Sequence, residues 1–247
     1  METRQISDNI SYIPATEAPL SADIGIIRDG AGIWLYDVGN DPQAIADLTG
    51  KYNVVLSHFH EDHTGNLQKL NIQSLHVSGE TRRHTGMGTV VTGDLYFGAL
   101  HLFPLPSSHC KGCLGLEVDG RYAFVGDALY CKTKNGAYTF SVQLVHDLLA
   151  VLKKLTAPDL LVSHFPGMIR PRAEVIAEFA ALYAMRQPGN NEILLRQWHR
   201  LDKVRQAPIK VSSEFVVRLT EPQSPAAALH TPLLPAQGRF FGFADCK

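Results

Sequence analysis

The sequence predicts an α/β fold, and three features of the chain support this prediction. Short apolar runs of strand-like length are bounded by turn signals in the first part of the chain. Segments with helical spacing separate later apolar runs, and a strand–helix–strand order is typical of an α/β arrangement. Several of the apolar runs also stop at residues that can bind a metal ion. Because α/β proteins bind ligands at the C-terminal edge of the sheet, this third feature predicts where a functional site lies.

The composition indicates an ordinary globular protein with enough apolar material for a sizeable core. Hydrophobic residues make up 45% of the 247, and we expect one domain over residues 1–247, with a variable helical and tail region from about residue 168. A net charge of −1 gives no electrostatic footprint for nucleic acid, so no nucleic-acid partner is expected. No membrane association is expected either, since the sequence has neither a signal-peptide core nor a bilayer-spanning apolar run. The four cysteines are too few for a disulfide scaffold, which favours a cytoplasmic location.

The first elements are predicted to be strands joined by tight turns. The apolar runs at residues 24–27 and 33–36 both end at turn residues that include an aspartate and a glycine. Asp41 and Pro42 then offer an N-cap and a proline suited to the first turn of a helix. A short helix through Leu48 is therefore predicted.

Residues 57–67 are the most informative stretch, and they read S-H-F-H-E-D-H-T-G-N-L after a buried-strand pattern. His58 and His60 are two residues apart, so at the end of a strand they point to the same side. Asp62 and His63 follow a turn of the chain and can face the same point from another side. Imidazoles and carboxylates are usual ligands of zinc and similar ions, so the stretch predicts a metal site. The alternative is a polar loop that happens to be rich in histidine, which this spacing disfavours.

Possible ligands follow three further apolar runs, which cover residues 100–103, 122–125 and 160–162. The residues in question are His109, Asp127 and His164. Four strands would then deliver ligands at their C-terminal ends, which points to a single site.

The segments between these runs are predicted from their periodicity. A short helix near residues 66–70 and a strand near residues 75–77 precede a looser stretch up to residue 94. A later helix, with Ser141 as its cap, is indicated by leucines spaced for one helix face: Leu144, Leu148, Leu149, Leu152 and Leu155. Surface or structural roles are expected for four histidines outside the ligand pattern, His76, His84, His101 and His146, whereas His199 and His230 carry no signal.

Two helices are predicted beyond Gly167, at residues 172–187 and 192–205, with a strand at residues 209–219. Their basic residues are interpreted as a solvated face. The segment from residue 221 is rich in Pro and Ala, and the chain after Pro208 is a candidate arm for a homodimer.

Taken together, these motifs resemble the metallo-β-lactamase superfamily. The matching residues are His58-x-His60-x-Asp62-His63, a lone His109, Asp127 in Gly-Asp, His164 in Ser-His and, as a structural residue, Asp37. They occur in the family's order over roughly residues 10–170. The resemblance implies a four-layer αβ/βα sandwich, in which two mixed sheets face each other, helices lie outside and metals bind at one edge.

The same resemblance implies two divalent metal ions, with zinc expected and manganese or iron as alternatives. The family pattern assigns seven ligands: His58, His60 and His109 to the first metal, Asp62, His63 and His164 to the second, and Asp127 as the bridge. This set is similar to that of glyoxalase II-like thioesterases and lactone-opening hydrolases. True β-lactamases lack the bridging aspartate, so antibiotic hydrolysis is disfavoured.

The implied activity is hydrolysis of a small ester, thioester or lactone by a hydroxide that bridges the two metals. Asp62 and Asp127 are the predicted catalytic carboxylates, because they can orient the nucleophile or accept its proton. Tyr130 is a candidate oxyanion donor; alternatively, it packs in its loop with the hydroxyl in water.

Three other functions fit parts of the pattern. The first is a mononuclear iron oxygenase similar to the persulfide dioxygenases. The second is a nuclease or phosphodiesterase, which the near-neutral charge disfavours. The third is a non-catalytic metal-binding protein of the same fold.

The stretch after His109 departs from the family pattern, in which Thr or Ser and a Gly-rich turn are common. It reads Cys110-Lys111-Gly112-Cys113. The cysteines are interpreted as small residues in a tight loop, with a redox switch or an extra thiolate near the metals as the alternative. Cys131 could lie nearby, whereas Cys246 carries no signal.

Overall fold

The structure is a computed structural model that describes residues 2–30 and 32–195. Its strands are β1 (Arg4–Gln5), β2 (Ile10–Ile13), β3 (Thr16–Glu17), β4 (Leu20–Ser21), β5 (Ile24–Asp29), β6 (Gly32–Tyr36), β7 (Lys51–Val55), β8 (Asn71–Val77), β9 (Thr89–Val90), β10 (Leu95–Phe97), β11 (Leu100–Leu105), β12 (Cys113–Val118), β13 (Tyr122–Gly126), β14 (Lys132–Lys134), β15 (Ala137–Ser141), β16 (Asp159–Val162), β17 (Ile169–Pro171) and β18 (Glu192–Leu195). Its helices are α1 (Glu61–Thr64), α2 (Gly79–Thr85), α3 (Val142–Lys154) and α4 (Arg172–Ala184), with a 3₁₀ helix at Leu67–Lys69.

Two mixed sheets dominate the fold. The first has the strand order β1-β2-β5-β6-β7-β8-β9, and its strands β6 to β9 run parallel. The second has the order β10-β11-β12-β13-β16-β17, and its pair β13 and β16 is parallel. In both sheets the parallel strands end at the same edge, because parallel strands share a direction.

The two sheets pack face to face through a shared apolar core. The Tyr36 ring on β6 stacks on the Phe124 ring on β13 with centroids 5.0 Å apart, and the Tyr36 hydroxyl donates to the Leu114 carbonyl at 2.7 Å. Gly25 permits this close approach, since a Cβ atom there would lie 2.5 Å from the Phe124 ring. The core between the sheets therefore holds their relative position, and with it the distance between ligands on different sheets.

The outer faces of both sheets are covered, which gives the predicted four layers. Helix α3 buries Val145, Leu148, Leu149 and Leu152 against the second sheet, in the same cluster as buried residues of α4. Ser141 caps α3 as predicted, since its hydroxyl accepts a hydrogen bond from the Leu144 N–H at 3.5 Å. On the outer face of the first sheet, Ala44, Ile45 and Leu67 pack over β-strand residues.

The predicted helix from Asp41 to Leu48 is wrong: these residues form consecutive turns. The Ala44 N–H donates to the Asp41 carbonyl at 3.1 Å and the Leu48 N–H to the Ile45 carbonyl at 2.9 Å, so the bonds span three residues rather than four. Such a short segment gains little from helical hydrogen bonding, and its conformation is set by burial of Ala44 and Ile45 against the sheet.

The predicted helix that starts at Glu192 is also wrong in its described part, where Glu192–Leu195 forms strand β18. This strand pairs with β15 in a small sheet of order β14-β15-β18, with Ile193 opposite Phe140. Cross-strand pairing and burial of Ile193 thus outweigh helix propensity. The remainder of the predicted helix, the predicted strand at residues 209–219, Cys246 and the possible dimer arm lie outside the described residues.

Two smaller differences concern the region after the histidine cluster. The looser stretch predicted before residue 94 contains α2, which Ser78 caps by accepting the Thr81 N–H, and which ends at Gly86 with φ +75°. The helix predicted over residues 172–187 ends at Ala184. Across residues 2–30 and 32–195, no helix combines the length and the apolar character needed to cross a membrane.

Candidate metal centre

The predicted ligands lie where four strands end. His58 and His60 follow β7, His109 follows β11, Asp127 follows β13, and His164 follows β16. The structure brings all seven predicted ligands to this edge in neighbouring groups.

Three ring nitrogens form the first group. The Nδ1 atom of His60 lies 2.9 Å from Nε2 of His58 and 3.0 Å from Nε2 of His109. Nitrogens that share a tetrahedral zinc at bond lengths of about 2.0–2.1 Å are separated by roughly 3.3 Å, close to these values. A neutral imidazole has a single N–H, so hydrogen bonds alone satisfy three converging nitrogens poorly, whereas one shared cation satisfies all of them.

Two carboxylates and two imidazoles form the second group. The Oδ2 atom of Asp62 lies 3.1 Å from Nε2 of His164 and 3.5 Å from Nε2 of His63. Asp127 Oδ2 is the fourth possible ligand, 3.4 Å from His63 Nε2. This set of two nitrogens and two carboxylate oxygens suits zinc, manganese or iron.

Asp127 lies between the two groups. Its Oδ2 atom is 3.4 Å from His109 Nε2 in the first group and 3.4 Å from His63 Nε2 in the second. The carboxylate is only 4% exposed, so its charge needs a compensating positive charge nearby. A position equidistant from both groups is the one a bridging carboxylate requires.

The electrostatics of the imidazoles favour neutral ligands in the first group. Burial and the neighbouring His63 lower the pKa of His58, and burial together with His109 lowers the pKa of His60 to about 4. Burial also lowers the pKa of His109. These three imidazoles are therefore uncharged near neutral pH, the form that offers a nitrogen lone pair to a metal.

The second group instead favours a positive charge at its centre. Burial alone would raise the pKa of Asp127, but the charges of His63 and His164 lower it below its ordinary value. Burial would likewise lower the pKa of His63, but Asp127 and Asp37 raise it well above its ordinary value. The carboxylates thus stabilise a cation here, whether a protonated imidazole or a metal ion.

Unsatisfied atoms in the centre fit a bound metal. Within the described part of the chain, the buried atoms His63 Nε2 and Asp127 Oδ1 have no hydrogen-bond partner. Buried polar atoms without partners are costly, and in native proteins they call for an explanation such as a bound ion. Both atoms belong to residues of the second group, where a cation would satisfy them.

Asp37 and Ser57 orient the ligands from behind. Asp37, predicted as a structural residue, lies at the end of β6 with φ +63° and places Oδ2 2.7 Å from His63 Nδ1. Its Oδ1 accepts the Ser57 N–H at 2.7 Å. The Ser57 hydroxyl in turn lies 2.9 Å from His58 Nδ1. A carboxylate behind a histidine fixes its tautomer and makes it a better ligand, so Asp37 leaves Nε2 of His63 directed at the centre.

Asp23 is a further positioning residue that sequence reasoning missed. Its Oδ2 accepts the His164 N–H at 2.7 Å and so holds a backbone turn with φ +59° at His164. The neighbouring Ala22 N–H donates to the Asp62 carbonyl at 2.8 Å. Residues 22–23 therefore tie together two ligand-bearing loops about 100 residues apart in sequence, a link that no local pattern signals.

Tyr130 lies beside the centre with its ring centroid 6.4 Å from that of His109. Its hydroxyl is buried and donates to the Ser163 carbonyl at 2.6 Å, rather than lying in water. A role as oxyanion donor requires that this bond be exchanged for one to substrate, and the role stays a prediction.

The other described histidines lie outside the two ligand groups. His76 stacks on Trp34, His101 bridges Asp94 and Glu117, and His146 is exposed on α3. His84 stacks on Phe59, with ring centroids 4.0 Å apart, and so borders the ligand loop. Surface and structural positions were predicted for these residues.

The fold has been compared with known proteins. No protein-family model matches the sequence, and no curated protein sequence matches it. Among solved structures, DIM-1 metallo-β-lactamase is similar with a TM-score of 0.57 and 13% identity, over 74% of this chain and 96% of that chain. MIM-2 metallo-β-lactamase gives 0.55 and 20%, over 73% and 88%. FIM-1 metallo-β-lactamase from Pseudomonas aeruginosa, in a mono-zinc form, gives 0.56 and 16%, over 74% and 94%.

These similarities extend over nearly the whole length of the solved proteins, although few residues are identical. The predicted resemblance is thus confirmed at the level of the fold: this chain has the metallo-β-lactamase fold.

Proposed function

We propose that the protein is a metal-dependent hydrolase with two divalent metal ions, which cleaves a small ester, thioester or lactone. The position of Asp127 carries this proposal, because its Oδ2 atom lies 3.4 Å from a ligand nitrogen of each group. The two groups are therefore close enough to hold a pair of ions that act on one substrate.

The chain's own residues have two roles at this centre: to bind the metal ions and to orient the nucleophile. His58, His60 and His109 would hold the first metal through neutral nitrogens, and Asp62, His63 and His164 the second. When bound, the ions supply a hydrolytic nucleophile near neutral pH and polarise the carbonyl oxygen of the substrate. Asp127 and Asp62, each with a lowered pKa, stay ionised near neutral pH and are available to bind the ions and to orient the nucleophile.

Carboxylate bridging distinguishes this centre from that of the β-lactamases that share its fold. The resemblance drawn from the sequence associates an aspartate at this position with thioesterases and lactone-opening hydrolases. A near-neutral protein with a small carboxylate-rich centre is also poorly suited to attract a polyanion. We therefore favour a small carbonyl substrate over a nucleic acid or a β-lactam.

Elemental analysis of purified protein would test the metal centre, with His63→Ala as the disrupting variant. The exposed His146, on α3, provides the matched control His146→Ala. We expect about two zinc or manganese ions per chain in the parent and control proteins and about one in His63→Ala, since one ligand group remains intact.

Activity panels would follow on the same three proteins. Cleavage of a carbonyl substrate by the parent and the control, lost in His63→Ala, would support the hydrolase. A content of one iron per chain together with oxygen uptake would indicate an oxygenase instead of a hydrolase. No metal under metal-replete conditions would refute both, and two metals without turnover on any ester, thioester or lactone would refute the proposed substrate class.

A further inference from the structure

Two cysteines that the proposed hydrolysis does not use lie next to the centre. The Sγ atoms of Cys110 and Cys113 are 3.4 Å apart, and both residues are free thiols that are buried, with Cys110 5% and Cys113 2% exposed. A disulfide bond has an S–S length of about 2.05 Å, so the two sulfurs are in contact but unbonded. A shift of little more than 1 Å would join them.

Cys110 is coupled to the first ligand group in two ways. It directly follows His109, whose N–H donates to the Ser107 hydroxyl at 3.0 Å. In addition, Cys110 Sγ lies within 4.8 Å of a ring nitrogen of His58 and of one of His60. Any displacement of Cys110 is therefore transmitted to His109 through the chain, and it takes place within 4.8 Å of the other two ligand nitrogens.

The neighbouring backbone determines which cysteine moves. Cys113 lies in β12, where it pairs with Leu105 on β11. Gly112 has φ +72° and is packed so closely on the start of α2 that a Cβ atom would lie 2.6 Å from the Ser78 hydroxyl. The strand pairing and the close packing restrain the backbone at Gly112 and Cys113. Formation of the disulfide bond therefore moves Cys110 and, with it, the adjacent ligand His109.

We propose that Cys110 and Cys113 form a redox modification site whose disulfide bond displaces His109 and weakens binding at the first metal position. This inference rests on the proposed function, because it concerns the metal centre assigned there. The reaction requires a small organic disulfide as oxidant. One cysteine sulfur attacks the reagent and releases one thiol, and the second cysteine then displaces the other thiol. The two cysteines lose two protons and two electrons, which the two released thiols carry.

The bond itself can be detected by peptide mapping. The protein is treated with bis(2-hydroxyethyl) disulfide, which is small enough to approach buried thiols, unreacted thiols are alkylated, and the product is cut with trypsin. Cleavage after Lys111 separates Cys110 from Cys113, so peptides 84–111 and 112–121 stay together only if the disulfide joins them. We expect the linked pair in oxidised protein and its loss after a thiol reductant. Absence of the linked pair after prolonged oxidation would overturn the inference.

The effect on the metal is measured separately, by competition with a chromophoric zinc chelator after removal of the oxidant. We expect oxidation to weaken one of the two zinc positions roughly tenfold or more, the scale found when the support of a ligand is lost. Cys113→Ala should bind zinc equally before and after oxidation. Cys131→Ser retains the pair and should respond like the parent protein; Cys113→Ser replaces Cys113→Ala if the latter fails to fold.

The possible outcomes distinguish a failure of the redox inference from a failure of the proposed hydrolase activity. A linked peptide pair with unchanged zinc binding would overturn the inference and leave the metal centre intact. Zinc binding by the reduced protein without turnover on any carbonyl substrate would refute only the hydrolase. If the reduced protein bound no zinc, the centre and its redox control would both be refuted.

Discussion

The two ligand groups are supported to different degrees. The first group consists of three imidazoles, and its His109 sits in a loop where the Ser107 hydroxyl accepts its N–H. The second group combines carboxylates with imidazoles and is backed by two buried aspartates, Asp37 and Asp23. This contrast suggests that the second position is rigid and charge-compensated, whereas the first is the easier to perturb.

The two groups differ in their proportion of carboxylate ligands, and this difference has a chemical consequence. Nitrogen ligands suit zinc, whereas a higher share of carboxylate oxygen also accommodates manganese. Asp127 joins the two environments, and its removal should therefore affect both. Asp37 and Asp23 directly contact ligands of the second group only, and Asp37 reaches His58 of the first group only through Ser57.

The largest effect is expected for Asp127→Asn, which removes the shared negative charge while keeping the side-chain shape. Both positions should lose affinity for zinc, and hydrolysis should fall on the order of a thousandfold, within the range for loss of an essential acid–base group. Metal content and initial rates provide the measurement. Asp147→Asn, at a partly exposed position on α3, is the control, and loss of only one metal would show that Asp127 belongs to a single group.

Asp37→Asn should separate the two positions. The amide no longer supplies a negative charge behind His63, so zinc affinity at the second position should fall about 10–100-fold while the first is unchanged. Chelator competition resolves the two affinities. Asp8→Asn, on the exposed N-terminal segment, is the matched control. Equal losses at both positions would contradict the independence of the two groups.

Asp23→Asn should have a smaller effect of the same kind. Asp23 accepts the N–H groups of His164 and Ala15 with different oxygens, and an amide retains only one acceptor. We expect roughly tenfold weaker zinc binding at the second position, the lower end of the effect for such supporting residues. The same chelator competition applies, and an effect confined to the first position would argue against the link between residues 22–23 and His164.

Glu117→Gln tests the end of β12 that lies away from Cys113 and the metal centre, and it should leave metal binding unchanged. Glu117 Oε1 accepts the N–H groups of Ala157 and Thr156 and the Thr156 hydroxyl. Loss of the charged acceptor should lower the free energy of unfolding by about 1–3 kcal/mol, measured by urea denaturation of metal-free protein. Glu17→Gln, at an exposed residue, is the control and should be neutral.

The pH dependence of the same pair of proteins sharpens this prediction. Burial alone would raise the pKa of Glu117, but the hydrogen bonds from Ala157 and Thr156 lower it below its ordinary value. A carboxylate with a lowered pKa stabilises the folded state fully above its unfolded pKa of about 4.3, and loses that effect as the pH falls through its folded pKa. The stability difference between parent and Glu117→Gln should therefore shrink in acid. A constant difference would mean that the charge is not responsible.

Predictions from local sequence patterns were most accurate where a buried strand ends and the chain turns into a polar loop. The ends of the ligand-bearing strands were identifiable because apolar runs stop abruptly at polar residues, as at Val162, Ser163 and His164. The cap at Ser141 depends only on neighbouring residues and was also predicted. Predictions failed where a segment's conformation depends on distant partners, as for Glu192–Leu195, which pairs with β15.

The sequence by itself determined the fold class and the candidate ligands, because spacing within a strand or turn decides which side chains point the same way. The family resemblance implied the division into two groups with Asp127 between them, whereas only the tertiary structure gave the distances of Asp127 from both groups and the support of His164 by Asp23. It also decided that Cys110 faces two ligand imidazoles. These are contacts between residues far apart in the chain, and their distances follow from how the two sheets pack on their common core.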